Sequence, residues 1–318
     1  LIDQGELEVV GEAATGEEAV HLVSALAPDV IVMEVSLPGL DGIAVTERLS
    51  ETHDVPIVLV TSEVDRERLV SAFRTVRRGV VGVYAKPTVP DQWHEFGVTL
   101  NETLVGVTRP KGWTAPERGH PPATGRAPIR FVVVGSSTGG PAALAEMLQE
   151  IESPYPASVL IVQHIAVGFD DPLASWLASE TGLDVRVAEH GELIGRGQVR
   201  MAPADAHLVL EPAGRLRIDG QTEPRNGHRP SADLLFESLA DMRALRTAAV
   251  LLSGMGSDGV EGMARLREAG AVTAVQDEAS SVVWGMPRVA RERGVADLVL
   301  SPAAIGRWLN AAFREPFR

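Results

Sequence analysis

The sequence predicts an α/β protein built from two doubly wound, mainly parallel-sheet domains. Short apolar runs alternate with amphipathic runs of helical period along most of its 318 residues, the pattern of a parallel sheet with helices on both faces. Several apolar runs end in Gly, Ser, Thr or Asp, as buried strands do at their carboxyl ends. Between residues 108 and 130 the alternation gives way to Pro, Gly, Arg and Lys. A chain of this length also exceeds the roughly 250 residues that a single core usually fills.

In the first half, Glu8-Val9-Val10 is expected to be a short strand, and residues 16–26 a helix with Ala19, Val20, Val23 and Leu26 along one face. Residues 29–35, 56–62 and 80–86 read as three buried strands, and 91 to 107 as a closing helix. The opening residues lack a complete first strand, so the sequence is expected to begin inside a domain. Residues 108–130 hold five prolines and no apolar periodicity, which predicts an exposed, partly extended connector. Its basic residues are read as those of a soluble linker.

The second half opens on Phe131-Val132-Val133-Val134-Gly135-Ser136-Ser137-Thr138-Gly139-Gly140-Pro141: a buried strand, a Gly/Ser/Thr turn, and a helix over 142–151 that the proline starts. Residues 157–162 form the next buried strand, ending in Gln163-His164, and a helix is expected over 172–180. Val185-Arg186-Val187 is a short strand. Residues 198–218, with their Pro and Gly interruptions, are expected to make hairpins on one side of the sheet. Ser231 caps a helix through Met242 that turns Leu234, Leu235 and Leu239 inward. Residues 248–252 are a buried strand ending in Ser253-Gly254-Met255-Gly256-Ser257-Asp258-Gly259. A helix to Glu268, a strand at 271–275, helices around 287–293 and 302–313, and a short strand near 297–300 complete the chain.

Composition narrows the chemistry. Without cysteine, the chain has no disulfides, thiolate metal sites or cysteine nucleophiles. A net charge of −14 argues against general nucleic-acid binding, which needs a basic face. No apolar run approaches the roughly 18 residues of a membrane helix and no signal-peptide pattern opens the sequence, so a cytoplasmic location without membrane insertion is expected.

Ser137, His164 and Asp258 each lie just past the carboxyl end of a predicted strand. Such ends share one edge of an open α/β sheet, and ligands bind there where the strand order reverses. A serine on a strand-to-helix turn is pushed out of the sheet, with N–H groups of the helix start aimed at what it attacks. Its hydroxyl is a poor nucleophile until an imidazole takes the proton, and the imidazole needs a carboxylate to fix its tautomer. Each residue alone has a plainer explanation: Gly135-x-Ser137-x-Gly139 as a tight or phosphate-cradling turn, His164 as a strand-end histidine, Asp258 as the N-cap of the helix that follows. The conjunction favours a nucleophile, a general base and an orienting acid. The order Ser…His…Asp and the lack of an HGGG loop set the chain apart from an α/β-hydrolase. A nucleotide site ranks lower still, because G-x-G-x-x-G and G-K-[ST] are both missing.

Three landmarks in the first half are Leu37-Pro38-Gly39-Leu40-Asp41-Gly42, Thr61-Ser62 and Ala85-Lys86-Pro87, each following a predicted strand. Together they resemble a response-regulator receiver domain. The resemblance implies a phosphate-accepting aspartate where this chain has Glu34, with Thr61 and Lys86 at the switch positions. It also implies an acidic pair holding Mg²⁺ on the family's first strand, which this sequence does not contain. Glutamate carries its carboxylate one methylene further out, and without the pair the ion loses its main protein ligands. The domain is therefore expected not to accept a phosphoryl group. Glu34 is then either a solvated strand-end acid or a partner of Lys86 that imitates the activated state.

Gly135-Ser136-Ser137-Thr138-Gly139-Gly140-Pro141, Val162-Gln163-His164, Arg229-Pro230-Ser231-Ala232-Asp233-Leu234-Leu235-Phe236, Gly254-Met255-Gly256-Ser257-Asp258-Gly259 and Gly285-Met286-Pro287 resemble, in order and spacing, the chemotaxis protein-glutamate methylesterases. The likeness implies a receiver-like domain at 1–107, a Pro-rich linker at 108–130 and a Rossmann-like methylesterase domain at 131–318. It implies Ser137 as nucleophile beside a bystander Ser136, His164 as base and then acid, and Asp258 as its orienting carboxylate. Thr138 and the Met255 backbone would flank the developing oxyanion. The implied substrate is a γ-glutamyl methyl ester on cytoplasmic chemoreceptor helices, with methanol leaving, and the same acyl-enzyme would deamidate receptor glutamines. A histidine kinase is an implied partner. Neither a metal nor an organic cofactor is required, since the three side chains and N–H groups supply the stabilisation. In that family the receiver packs over the esterase cleft until it is phosphorylated. The alternative class is a degenerate, non-enzymatic signalling module that binds receptor or kinase.

Overall fold

The computed structural model describes residues 7–62, 65–76, 79–108, 130–242 and 246–314. The expected linker, apart from its two ends, lies outside the described residues. The chain divides into two compact units, Leu1–Pro110 and Lys111–Arg318. Among the described residues no helix is long and apolar enough to cross a membrane.

In the first unit, β1 (Ile31–Glu34), β2 (Ile57–Thr61) and β3 (Val80–Ala85) form a parallel sheet in that order, with Glu34 opposite Val60 and Thr61 opposite Ala85. Helices α1 (Gly16–Leu26), α2 (Gly42–Ser50), α3 (Arg66–Thr75) and α4 (Trp93–Thr108) connect and close it. Thr15, Asp41 and Asp65 cap the first three, accepting from the N–H groups of Glu18, Ile43 and Arg68 that a helix start leaves open. The strand expected at Glu8-Val9-Val10 does not form. That segment finds no ladder partner among the described residues, and β-branched composition without a partner leaves the backbone groups to water.

The second unit carries a seven-stranded, wholly parallel sheet. Its strands are β4 (Phe131–Ser136), β5 (Ser158–Gln163), β6 (Asp184–Val187), β7 (Gln198–Met201), β10 (Thr247–Leu251), β11 (Val272–Gln276) and β12 (Leu298–Leu300), in the order β12-β11-β10-β4-β5-β7-β6. The expectation of hairpins over 198–218 holds only in part. β8 (His207–Glu211) and β9 (Arg215–Asp219) form an antiparallel pair, whereas β7 inserts between β5 and β6 in the main sheet. Val199 and Met201 are buried there, and that burial outweighs the local turn signals of Gly195 and Gly197.

Every residue of β4, β5, β10 and β11 is buried, as expected of strands covered on both faces. α5 (Gly140–Gln149), α6 (Asp170–Thr181) and α10 (Pro302–Arg314) form one packed group. α7 (Ala232–Ala240), α8 (Val260–Glu268) and α9 (Met286–Glu292) share a core with Val133, Val162, Ala249 and Leu251 of the sheet. Within α7, Leu235, Phe236 and Leu239 point inward, while Leu234 stays half-buried against expectation because it lies off that face.

Candidate active site

The central strands end level. Gly135 lies opposite Leu251 on one side and Val162 on the other. From β4 the chain moves to β5 and the strands beyond it, then returns to β10 on the opposite side of β4. The strand order therefore reverses between β4 and β10, which opens a crevice at their carboxyl ends. Ser137, His164 and the loop from Ser253 to Gly259 all leave the sheet at this edge.

Ser137 is fixed through its backbone. Its N–H donates to the Ser253 carbonyl at 3.0 Å, and its carbonyl accepts from the Gly140 N–H at 2.8 Å and from Gln163 Nε2 at 2.8 Å. The same Gln163 amide donates to the His164 carbonyl at 2.9 Å, and its Oε1 accepts from Ser136 Oγ at 2.7 Å. One buried amide thus ties the serine turn to the histidine turn. Ser136 is wholly buried and commits its hydroxyl to that amide.

Two glycines allow the close approach. Gly139 has φ +77°, and a Cβ there would come within 2.5 Å of the Val282 side chain. A Cβ on Gly254 would lie 2.8 Å from the Ser137 Cβ and 2.5 Å from Met286 Sδ, so only glycine fits beside the serine.

His164 Nε2 lies 2.8 Å from Asp258 Oδ2. Asp258 is buried at the N-terminus of α7. Its Oδ1 accepts from Ser231 Oγ at 2.7 Å and the Asp233 N–H at 3.2 Å, and its Oδ2 from the Ala232 N–H at 2.6 Å. Burial alone would raise the carboxyl, but the hydrogen bond and charge of His164, with the bonds from Ala232 and Ser231, outweigh it and hold the group down to about 2. The open N–H groups of a helix start favour the anion further. Asp258 is thus ionised at neutral pH, Nε2 is the donor, and a neutral ring carries its lone pair on Nδ1. Nδ1 is buried and has no hydrogen-bond partner among the described residues. It is an acceptor waiting for a donor. No hydrogen bond joins the Ser137 hydroxyl to the ring among the described residues, and catalytic bonds of this kind commonly tighten only with substrate in place.

The simpler reading of Asp258 as the cap of the following helix is not what forms. Gly259, at φ +87°, takes the N-cap position of α8 with no side-chain bond, and the carboxylate turns instead to the start of α7. Thr138 is buried and its carbonyl accepts from Ser253 Oγ at 2.7 Å. Among the described residues, no hydrogen bond uses the Met255 N–H. Asp233 is buried close by and accepts from the Gly262 N–H at 2.7 Å. Desolvation, helped by the Asp258 charge and opposed by that bond, raises its carboxyl to about 6.

In the first unit the three expected positions converge on adjacent strand ends. Glu34 closes β1 and forms an ion pair with Lys86, its Oε1 also accepting from the Ser36 N–H at 3.3 Å. Thr61 is buried at the end of β2, and its carbonyl accepts from the Lys86 N–H at 2.8 Å.

A serine, an imidazole and an ionised carboxylate at the strand ends of a parallel α/β sheet are the residue types found in one class of protein, the hydrolytic enzymes that work through an activated hydroxyl. Comparison with known proteins narrows the class. The CheB methylesterase family matches residues 132–309, and the response regulator receiver domain matches residues 1–96. The chain is 38% identical over 322 residues to protein-glutamate methylesterase/protein-glutamine glutaminase 4 of Geobacter metallireducens, covering 97% of this chain and 92% of that protein. It is 41% identical over 310 residues to protein-glutamate methylesterase/protein-glutamine glutaminase 3 of Anaeromyxobacter dehalogenans, covering 94% of this chain and 90% of that protein. The crystal structure of the Thermotoga maritima CheB methylesterase catalytic domain is 36% identical, with a TM-score of 0.55, and covers 57% of this chain and 98% of that one. The chain belongs to the CheB methylesterase family and carries a receiver domain in its first part.

Three contributors at the site escaped the sequence reading. In the sequence Gln163 stands only as the neighbour of His164 and Ser231 only as a helix cap, and His228 carries no signal of its own beyond the turn before it. The dipeptide Asn226-Gly227, a tight-turn signal, marks the place of the last.

Proposed function

We propose that this chain removes methyl groups from γ-glutamyl methyl esters on the cytoplasmic helices of chemoreceptors, and deamidates receptor glutamines by the same route. Ser137 Oγ attacks the γ-carbonyl carbon while its proton passes to His164 Nδ1. Asp258 stabilises the imidazolium, and N–H groups around Thr138 and Met255 face the oxyanion. The imidazolium then returns the proton to the departing methoxide, giving methanol, or to the departing amine, giving ammonia. Water repeats the sequence on the acyl-enzyme and restores Ser137. The observation that carries this reading is the ionised Asp258 on Nε2, which leaves Nδ1 as a buried acceptor with no partner among the described residues. The test is methanol release from a methyl-esterified chemoreceptor together with labelling by a fluorophosphonate. Wild type should release methanol and be labelled at Ser137, and loss of both from Ser137→Ala would match. An unlabelled, inactive wild type would favour the non-enzymatic module that binds receptor or kinase.

The proposed division is a receiver-like domain at 1–107, a linker at 108–130 and the catalytic domain at 131–318, working in the cytoplasm with a histidine kinase as signalling partner. The receiver is read as unable to accept a phosphoryl group. Lys86 and the Ser36 N–H already engage the Glu34 carboxylate. Treatment with acetyl phosphate followed by mass spectrometry should find no acyl-phosphate on the first domain, and a stable one would overturn the point.

A further inference from the structure

The segment from Arg225 to Asp233 touches both members of the His164–Asp258 pair, and by different means. At one end, Asn226 (φ +51°) and Gly227 (φ +82°) make a tight two-residue turn closed by hydrogen bonds of 3.0 and 2.9 Å between Arg225 and His228. The Arg225 guanidinium grips the Glu237 carboxylate of α7 through both oxygens, at 2.5 and 2.8 Å. The turn is thereby bolted to the helix, and its product is the His228 ring. That ring lies flat on His164, with centroids 4.0 Å apart and planes 6° from parallel. At the other end, Ser231 places its hydroxyl on Asp258 Oδ1 while its own N–H is held at 3.1 Å by Nδ1 of the buried His207.

A hydrogen bond to Asp258 constrains where Nε2 sits but leaves the imidazole free to roll about the axis of that bond. Rolling would carry Nδ1 away from the serine. A flat ring packed on one face removes that freedom. Burial, and then the neighbouring His164, lower the proton affinity of His228, with Asp258 opposing. A neutral ring therefore packs on His164 without opposing the imidazolium. On the carboxylate side, Ser231 fixes the second oxygen of Asp258 and so the plane in which Oδ2 is presented.

We propose that His228 and Ser231 are positioning residues for the hydrolytic reaction, one setting the roll of the His164 ring and the other the plane of the Asp258 carboxylate. The inference rests on the reading of Ser137, His164 and Asp258 given above. It concerns only how accurately they are held, since small misplacements of reacting groups cost up to about a hundredfold in rate.

The experiment measures methanol release from a methyl-esterified chemoreceptor by the full chain and its variants, with proton NMR of the His164 Nε2–H. His228→Phe keeps a flat ring and should hold kcat within about threefold, whereas His228→Ala should lose about tenfold or more at unchanged KM. Ser231→Ala should lose a similar factor in kcat, and Ser231→Thr, which keeps the hydroxyl, should recover most of it. In both alanine variants the Nε2–H signal should broaden through faster exchange while circular dichroism stays native. Wild-type kcat in His228→Ala, or equal losses in the Phe and Ala variants, would overturn the role of His228. A raised KM at constant kcat would do the same by making it a substrate contact. Failure of Ser231→Thr to recover activity lost in Ser231→Ala would overturn the role of Ser231. If instead a fluorophosphonate leaves wild-type Ser137 unlabelled, the hydrolase reading itself falls.

Discussion

At the scale of single residues the site separates two adjacent serines by what each hydroxyl is already doing. Ser136 is committed to Gln163 Oε1 inside the sheet, whereas Ser137 sits at the level of the imidazole turn. Ser137→Ala should therefore abolish ester hydrolysis and Ser136→Ala should leave most of it, as methanol assays on purified variants would show. The two carboxylates at the start of α7 act on stability with opposite sign. Asp258 is depressed, so its contribution is complete above the ordinary aspartate range and is lost as pH falls toward about 2. Asp233 is raised, so the native state binds its proton more tightly than the unfolded chain does. Its contribution is complete below the ordinary range and is lost as pH rises through about 6. Asp233→Asn retains an acceptor for the Gly262 N–H and should remove that loss. Urea midpoints for variant and wild type should then diverge from about pH 4 upward, with the variant more stable at neutral pH.

Among the elements, α7 does more than close the core. Its first turn supplies two N–H groups and a serine hydroxyl to Asp258. The loop after β10 is equally constrained, because Gly254 abuts the Ser137 backbone. Gly254→Ala would force a methyl group into that contact, costing about 1–3 kcal/mol of packing strain and about a hundredfold in turnover through displacement of the serine. Thermal melts and kcat on the same preparation would separate the two effects. The strand-end positions of Ser137, His164 and Asp258 were legible in the sequence because parallel buried strands announce themselves as apolar runs with polar ends. What was illegible depends on pairing over long distances. β7 is four residues among glycines, and its place between β5 and β6 is set by burial of Val199 and Met201. Glu8-Val9-Val10 has the composition of a strand and no ladder partner among the described residues. Gln163, Ser231 and His228 gain their roles from contacts with residues far along the chain or with a turn whose position packing decides.

For the molecule as a whole, the matches to a receiver domain over 1–96 and to the CheB methylesterase family over 132–309 pose the question of control. With Glu34 paired to Lys86, methanol release by the full chain should not respond to acetyl phosphate. Comparison with a 129–318 fragment then measures whatever restraint the first domain exerts. Equal rates would mean none, and a phosphodonor response in the full chain would refute the reading of Glu34.

The sheet order carries a consequence for how activity is acquired. Ser137 and His164 come from strands adjacent in sequence, but Asp258, the acid proposed to complete them, lies 94 residues beyond the histidine and arrives on the far side of β4. Contacts closed over such a span are made late in folding, because the intervening chain must first lose its freedom. During refolding from urea, helical signal should therefore return ahead of turnover, and a nascent polypeptide would stay inert until its final third has docked.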